Sequence, residues 1–183
     1  MTEKRLIVER AKKKQWRQFS ASGHLYAVVD SCGQPLVPLR CRQMGPSRAM
    51  SLYRSAGENR ELARSPTRPG VGDAERYAGV APYLFSLDEA TFDWIASPSF
   101  WPRPWGILCY AQANIVTLRA HFRRFLKVRG VDHKVYFLRF YDPRVLPTFL
   151  ASCNNNELAE LFGPVMFYGV ANGEDVVVLR RNV

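Results

Sequence analysis

Apolar side chains in this sequence come in short runs that turn residues cut off, and that segmentation limits the chain to small sheet and helix elements. His24 to Asp30 (HLYAVVD) is a compact apolar run stopped by Ser31, Cys32 and Gly33, which predicts a buried strand. Pro82 to Leu87 (PYLFSL) and Trp105 to Ala111 (WGILCYA) read the same way, and Ser51 to Arg54 is a further short candidate. Lys134 to Tyr141 (KVYFLRFY) is nearly continuous in apolar character, which predicts a strand buried on both faces. Val165 to Val170 and Asp175 to Arg181 flank Asn172-Gly173, a pair suited to a type I′ hairpin turn.

Helical signals fall between these runs. Asp88 caps a predicted helix Glu89 to Ala96 that buries Phe92 and Ile95. Asn114 caps another, Ile115 to Lys127, with Ile115, Leu118, Phe122, Phe125 and Leu126 on one face and Gly130 closing it. Asp142-Pro143 opens a helix carrying Val145, Leu146, Phe149 and Leu150, which Pro147 should bend or shorten. Asn155 or Asn156 caps Glu157 to Phe162, and Gly163-Pro164 stops it. The resulting expectation is an α/β (α+β) fold: a mixed β-sheet with flanking helices and a C-terminal β-hairpin.

A length of 183 residues allows one or two closely packed domains, and 47% hydrophobic residues exclude long disorder. Residues 1–22 form a basic N-terminal segment, with Lys4, Arg5, Arg10, Lys12, Lys13, Lys14 and Arg17 among Leu6, Ile7, Trp16 and Phe19, read as a short helix or an arm. Residues 23–183 form the main domain, and the prolines at 98, 102 and 104 suggest a hinge at 98–104 between sub-lobes 23–97 and 105–183. Ala56 to Gly79 alternates Gly and Pro with Arg60, Arg64, Arg68 and Arg76, which predicts a long exposed loop. The start lacks the apolar stretch of a secretory signal and no run reaches about 18 residues, so the expected location is cytoplasmic, without membrane insertion.

The net charge of +10 favours polyanions or acidic protein surfaces as partners. Cys32, Cys41, Cys109 and Cys153 stand singly, His24, His121 and His133 lie far apart, and no metal-ligand spacing occurs. Phosphate-loop, dinucleotide, zinc-protease and nucleophile-elbow motifs are absent. The expectation is therefore no catalytic residue, no metal and no cofactor; a Cys109–His121 pair or Asp142 would be the starting point for a hydrolase. The predicted helix stacks Arg119, Arg123 and Lys127 at i, i+4 with Arg124 beside them, an arrangement of mutually repelling charges. Either this is a solvated face, or one or two arginines reach Asp142 while the others meet a partner. Trp101 and Trp105 are candidates for core or for a recognition surface.

The runs Ala81 to Leu87 (APYLFSL), Trp105 to Gly130 (WGILCYAQANIVTLRAHFRRFLKVRG), Lys134 to Leu146 (KVYFLRFYDPRVL) and Glu160 to Val165 (ELFGPV), with LYAVVD and SLY in order before them, resemble the bacterial type VI secretion effector-chaperone family. Its members are also called adaptor proteins and were first catalogued as a domain of unknown function. The resemblance covers about residues 24 to 170. It implies a cytoplasmic, non-catalytic protein that binds one cognate toxin effector and helps load it on the spike protein of the secretion apparatus, reaching the spike through the effector. By position it carries over Trp105, Gly106, His121, Phe122, Arg123, Arg124, Phe125, Arg139, Phe140, Tyr141, Asp142, Pro143, Arg144, Phe162, Gly163 and Pro164 as motif residues. Arg119, Arg123, Arg124, Lys127, Trp101 and Arg144 are the expected partner-binding set. The stretch Asn59 to Gly72, longer than the usual link, and the lysine-rich start depart from the pattern. A basic nucleic-acid-binding protein is the alternative, since interleaved Tyr, Phe and Trp also fit base stacking.

Overall fold

Strand β2 (Leu25–Asp30) is buried at every position, and the rest of the fold is arranged to keep it so. In the computed structural model, which describes residues 6–32, 34–53, 79–130 and 132–182, β2 lies inside a seven-stranded sheet and pairs with β4 (Pro82–Ser86) on one side and β5 (Gly106–Ala111) on the other. Strand β3 (Ala49–Ser51) completes one edge. Beyond β5 come β8 (Val165–Asn172), β9 (Asp175–Arg181) and, at the other edge, β1 (Leu6–Lys12). Every pairing in this sheet is antiparallel, so the expected mixed sheet is an antiparallel one.

Alternation along β2 sends Tyr26 and Val28 to one face and Leu25, Ala27 and Val29 to the other, and both faces are covered. On the first face lie α4 (Ile115–Arg123), α5 (Leu146–Ser152) and α6 (Asn155–Phe162), through Leu118, Phe122, Leu146, Leu150, Leu158 and Phe162. On the second lie α1 (Lys13–Ser20), α2 (Leu36–Met44) and α3 (Glu89–Ile95), with Trp16, Val37, Phe92 and Ile95. Each fully buried Leu, Val or Phe contributes about 1.5–3 kcal/mol over its exposed state, so a sheet sandwiched in this way is strongly held. Gly106 has φ +150° and its Cα faces the backbone of Val28, so any Cβ there would collide with the neighbouring strand.

The caps form where the sequence placed two of them: Asp88 accepts from Thr91 N at 2.9 Å, and Asn114 accepts from Thr117 N at 2.9 Å. The cap of α6 is Asn154, one residue before the expected pair; its side chain accepts from the backbone N–H groups of Asn156 and Glu157. Asp142 precedes α5 without capping it, and Pro147 sits in the first turn, where a missing N–H costs nothing, instead of bending the helix. The final hairpin turns at Gly173-Glu174, since Asn172 pairs with Asp175. Only Gly173 takes positive φ (61°), which is the demand of a type II′ turn and not of type I′.

The basic N-terminal segment is neither an arm nor one helix: Leu6–Lys12 pairs with β9 in register Leu6↔Arg181 to Lys12↔Asp175, and the helix begins only at Lys13. The stretches 23–97 and 105–183 both contribute strands to the seven-stranded sheet, and the turns at 98–104 between them bury Phe100 and Trp101. Nearly all of the expected 56–79 loop, with the 59–72 stretch inside it, lies outside the described residues.

The largest departure concerns residues 124–141. Helix α4 ends at Arg123, short of Lys127, and Gly130 closes a turn and not a helix. Lys127–Arg129 (β6) instead pairs with Val135–Phe137 (β7) in a separate two-stranded sheet. Leaving the helix there separates Lys127 from Arg123 and lets Leu126 reach the core. Every residue of β6 and β7 is exposed, so the strand expected to be buried on both faces is buried on neither; only Phe140 and Tyr141, beyond its end, enter the core.

Candidate functional site

The charged and motif residues gather around the C-terminal end of α4. Arg119, expected to meet a partner, is 8% exposed, and its Nε donates to Ser51 O at 2.7 Å, so it ties α4 to the β3 edge. Arg123 is half-buried. Arg124 is exposed; its guanidinium lies 5.5 Å from the Phe125 ring centre, and Nη2 donates to His121 Nδ1 at 3.0 Å.

His121 is buried, and its other nitrogen, Nε2, lies 3.1 Å from Leu161 O. A carbonyl can only accept, so Nε2 carries the proton, Nδ1 accepts from Arg124, and the neutral tautomer is defined. Burial, with the Arg124 charge adding to it, holds the imidazole below the ordinary histidine range against the opposing effect of the Leu161 hydrogen bond. Leu161 O also accepts from Tyr168 Oη at 2.6 Å, which joins α4, α6 and β8 at one carbonyl. Gly163 ends α6 with φ +46°, and a Cβ there would lie within 2.8 Å of His121 Nδ1, so both backbone and space require glycine.

Asp142 was expected to receive an arginine of the helix. Its carboxylate is engaged two residues on: Oδ1 accepts from Arg144 N and Nε, both at 2.9 Å, and Oδ2 accepts from Arg144 Nη2 at 2.7 Å. The Arg144 hydrogen bond holds the Asp142 carboxyl below the usual range. The tie from this segment to the sheet is a pair the sequence did not suggest, Arg139 with Asp30 at the end of β2; Asp30 Oδ1 also accepts from Cys32 N. Of the remaining motif residues, Trp105, Phe122, Phe140 and Phe162 are core, with Phe122 and Phe140 stacked at 5.5 Å, while Pro143 and Pro164 are half-buried. Trp101 is 4% exposed and donates through Nε1 to Gly173 O at 2.7 Å, so it braces the β8–β9 turn and is not offered to a partner.

Of the expected partner-binding set, this leaves Arg124, Lys127 and Arg144 on the surface. Lys127 opens the β6–β7 hairpin, which sequence reasoning missed. Its turn is held by Gly130 N donating to Lys134 O, by His133 in the left-handed region (φ 61°), and by Asp132, which accepts from Lys134 N and from Tyr136 Oη at 2.7 Å. The signal for it was present: Lys127, Arg129 and Lys134 flank the apolar residues, and such cations do not fit a strand buried on both faces. Val135 (56%) and Phe137 (62%) are among the most exposed large apolar side chains described.

Cys109 is fully buried and its thiol is pushed up by that burial, which suppresses the thiolate a nucleophile needs. With both nitrogens of His121 engaged, the two do not make an activated pair. Among the described residues, no group of three His, Cys, Asp or Glu could hold a metal ion, and no helix is long and apolar enough to cross a membrane.

No curated protein and no solved structure matches the chain. Residues 71–160 match the family described as domain of unknown function DUF4123, a span that takes in β4, α3, β5, α4, the β6–β7 hairpin, α5 and most of α6. Residues 71–160, which carry the basic helix end and the β6–β7 hairpin, thus match a DUF4123 domain.

Proposed function

We propose that this protein is a non-catalytic cytoplasmic chaperone or adaptor that binds a cognate toxin effector of a type VI secretion system, stabilises it and helps load it on the spike protein, which it reaches through the effector. The observation that carries the reading is that the DUF4123 domain gathers the exposed Val128, Val135, Tyr136 and Phe137 with the exposed Lys127 and Arg129 on one hairpin, a form suited to gripping another protein. The motif residues shared with the effector-chaperone family support it from within: Phe122, Phe140, Phe162 and Gly163 build the frame on which that hairpin stands. Charge complementarity with an acidic effector would govern encounter and partner choice, and apolar anchors would supply affinity.

The test is affinity purification of the tagged chain from its host after nuclease treatment at moderate salt, with mass spectrometry of what stays bound. A stoichiometric large protein accompanied by spike components is the expected result. Nucleic acid before nuclease and no protein after it would replace this reading with the polyanion binder, which the +10 charge also suits. The two differ in salt response as well, because phosphate contacts weaken steeply with ionic strength while an apolar interface persists.

A further inference from the structure

We infer that one face of the β6–β7 hairpin is the effector-docking surface, and that it takes an acidic segment of the effector bearing apolar side chains. This rests on the chaperone reading above and specifies where and by what chemistry the partner is held.

The register of the hairpin decides which residues act together. Lys127 pairs with Phe137 and Arg129 with Val135, and directly paired residues share a face, so these four side chains lie side by side. Val128 and Tyr136 fall on the opposite face, where Tyr136 donates to Asp132 and packs against Gly130. The first face is therefore two apolar groups bracketed by two cations. Lys127 Nζ lies 5.5 Å from the Phe137 ring centre, which holds a positive charge at the edge of the apolar patch. Asp132, the acid of the turn, is already engaged by Tyr136 and Lys134, so it leaves this face uncompensated.

That pattern selects its occupant. A purely apolar partner would desolvate Lys127 and Arg129 without counter-charges, and a purely acidic one would leave Val135 and Phe137 wet. A segment carrying carboxylates beside apolar side chains satisfies both. Single-stranded nucleic acid fits less well: Val135 offers no stacking surface, and the hairpin's two rings, Tyr136 and Phe137, point to opposite faces and cannot form a stacking platform.

The experiment uses the full chain in its host. A photo-cross-linking phenylalanine analogue at position 137 is combined with two charge-reversal doubles: Lys127→Glu with Arg129→Glu, and, as a control of equal charge change, Arg10→Glu with Lys14→Glu. We expect the cross-link to reach an acidic segment of the same protein recovered by affinity purification, the hairpin double to lower its recovery at least tenfold, and the control to change it less than twofold. Both doubles alter exposed residues, and unchanged thermal melting verifies the fold. If the protein is recovered equally with the hairpin double, or the cross-link falls on nucleic acid, on a second copy or on the chain's own residues 54–78, the docking face is wrong while the chaperone reading stands. If the unmodified chain retains no protein after nuclease, both fall together.

Discussion

The β8–β9 and β6–β7 hairpins are both antiparallel pairs with apolar strands, yet one is built into the centre of the sheet and the other stands clear of it. In β8–β9, Tyr168, Val170, Val176 and Leu179 are buried, Trp16 lies against Gly169, and Trp101 reaches over to the turn. Among the described residues the β6 and β7 strands pair only with each other, and the Tyr53 ring centre lies 5.9 Å from that of Phe137. What separates them is less their apolar content than what surrounds them. Long strands whose charges stand only at their ends extend a sheet, whereas three-residue strands hemmed by Lys127, Arg129 and Lys134 cannot enter one without burying charge. The first hairpin serves stability, and the second keeps its side chains exposed.

Substitutions should divide along the same line. Leu179→Ala in β9 removes a fully buried side chain from beside Tyr168 and should cost about 2–5 kcal/mol, read as a large fall in melting temperature or denaturant midpoint. Gly169→Ala should cost about 1–3 kcal/mol, because the new methyl would fall on the Trp16 ring and within 2.9 Å of Val176 Cγ1. A melt indistinguishable from that of the parent for either variant would mean that β8–β9 is not packed as described.

Acidification gives a smaller effect with a defined sign. The folded-state pKa of His121 is depressed, so the unfolded chain takes up the proton first; the stabilisation is complete above the unfolded value of about 6.5 and is lost as pH falls through the lower folded value. Asp142, also depressed, adds a second loss as pH falls below about 3.9. Melting temperature should therefore decline from pH 7 toward pH 5, and His121→Gln should flatten that part of the curve while leaving the more acidic part. At the small end, Phe137→Ser should move stability by no more than about 0.5 kcal/mol, since the ring is already in water. A loss approaching that of Leu179→Ala would show that the hairpin is structural after all.

The central strands were legible because burial on both faces writes a continuous apolar run, as in Leu25–Asp30 and Gly106–Ala111, and the caps Asp88 and Asn114 were legible because their acceptor side chains mark helix starts. Other parts were not. Strand β1 is rich in charge because it is an edge, and its basic character resembled a helix or an arm until its pairing with β9 was seen. Helix α2 contains Pro38 and buries only Val37, so it has no periodic stripe to read. At the candidate site, the aromatic frame was visible in the motif, but Arg119 and Trp101 looked like surface groups because composition does not tell a buried arginine that finds a carbonyl from an exposed one. The Asp30–Arg139 pair joins residues 109 apart, a distance in sequence that no local pattern spans.

The pairing of β1 with β9 bears on how the molecule is made. Leu6–Lys12 is the first of the described strands to emerge from the ribosome, and its partner, Asp175–Arg181, is the last. Until then the edge strand has no ladder to join, and Val8, still 60% exposed in the finished fold, is left in an open segment with Leu6 and Ile7. Contacts this distant in sequence form late and slowly, so closure of the sheet waits for β9 to be made. Until that late pairing forms, β1 is an apolar and basic strand with no partner, during every round of translation.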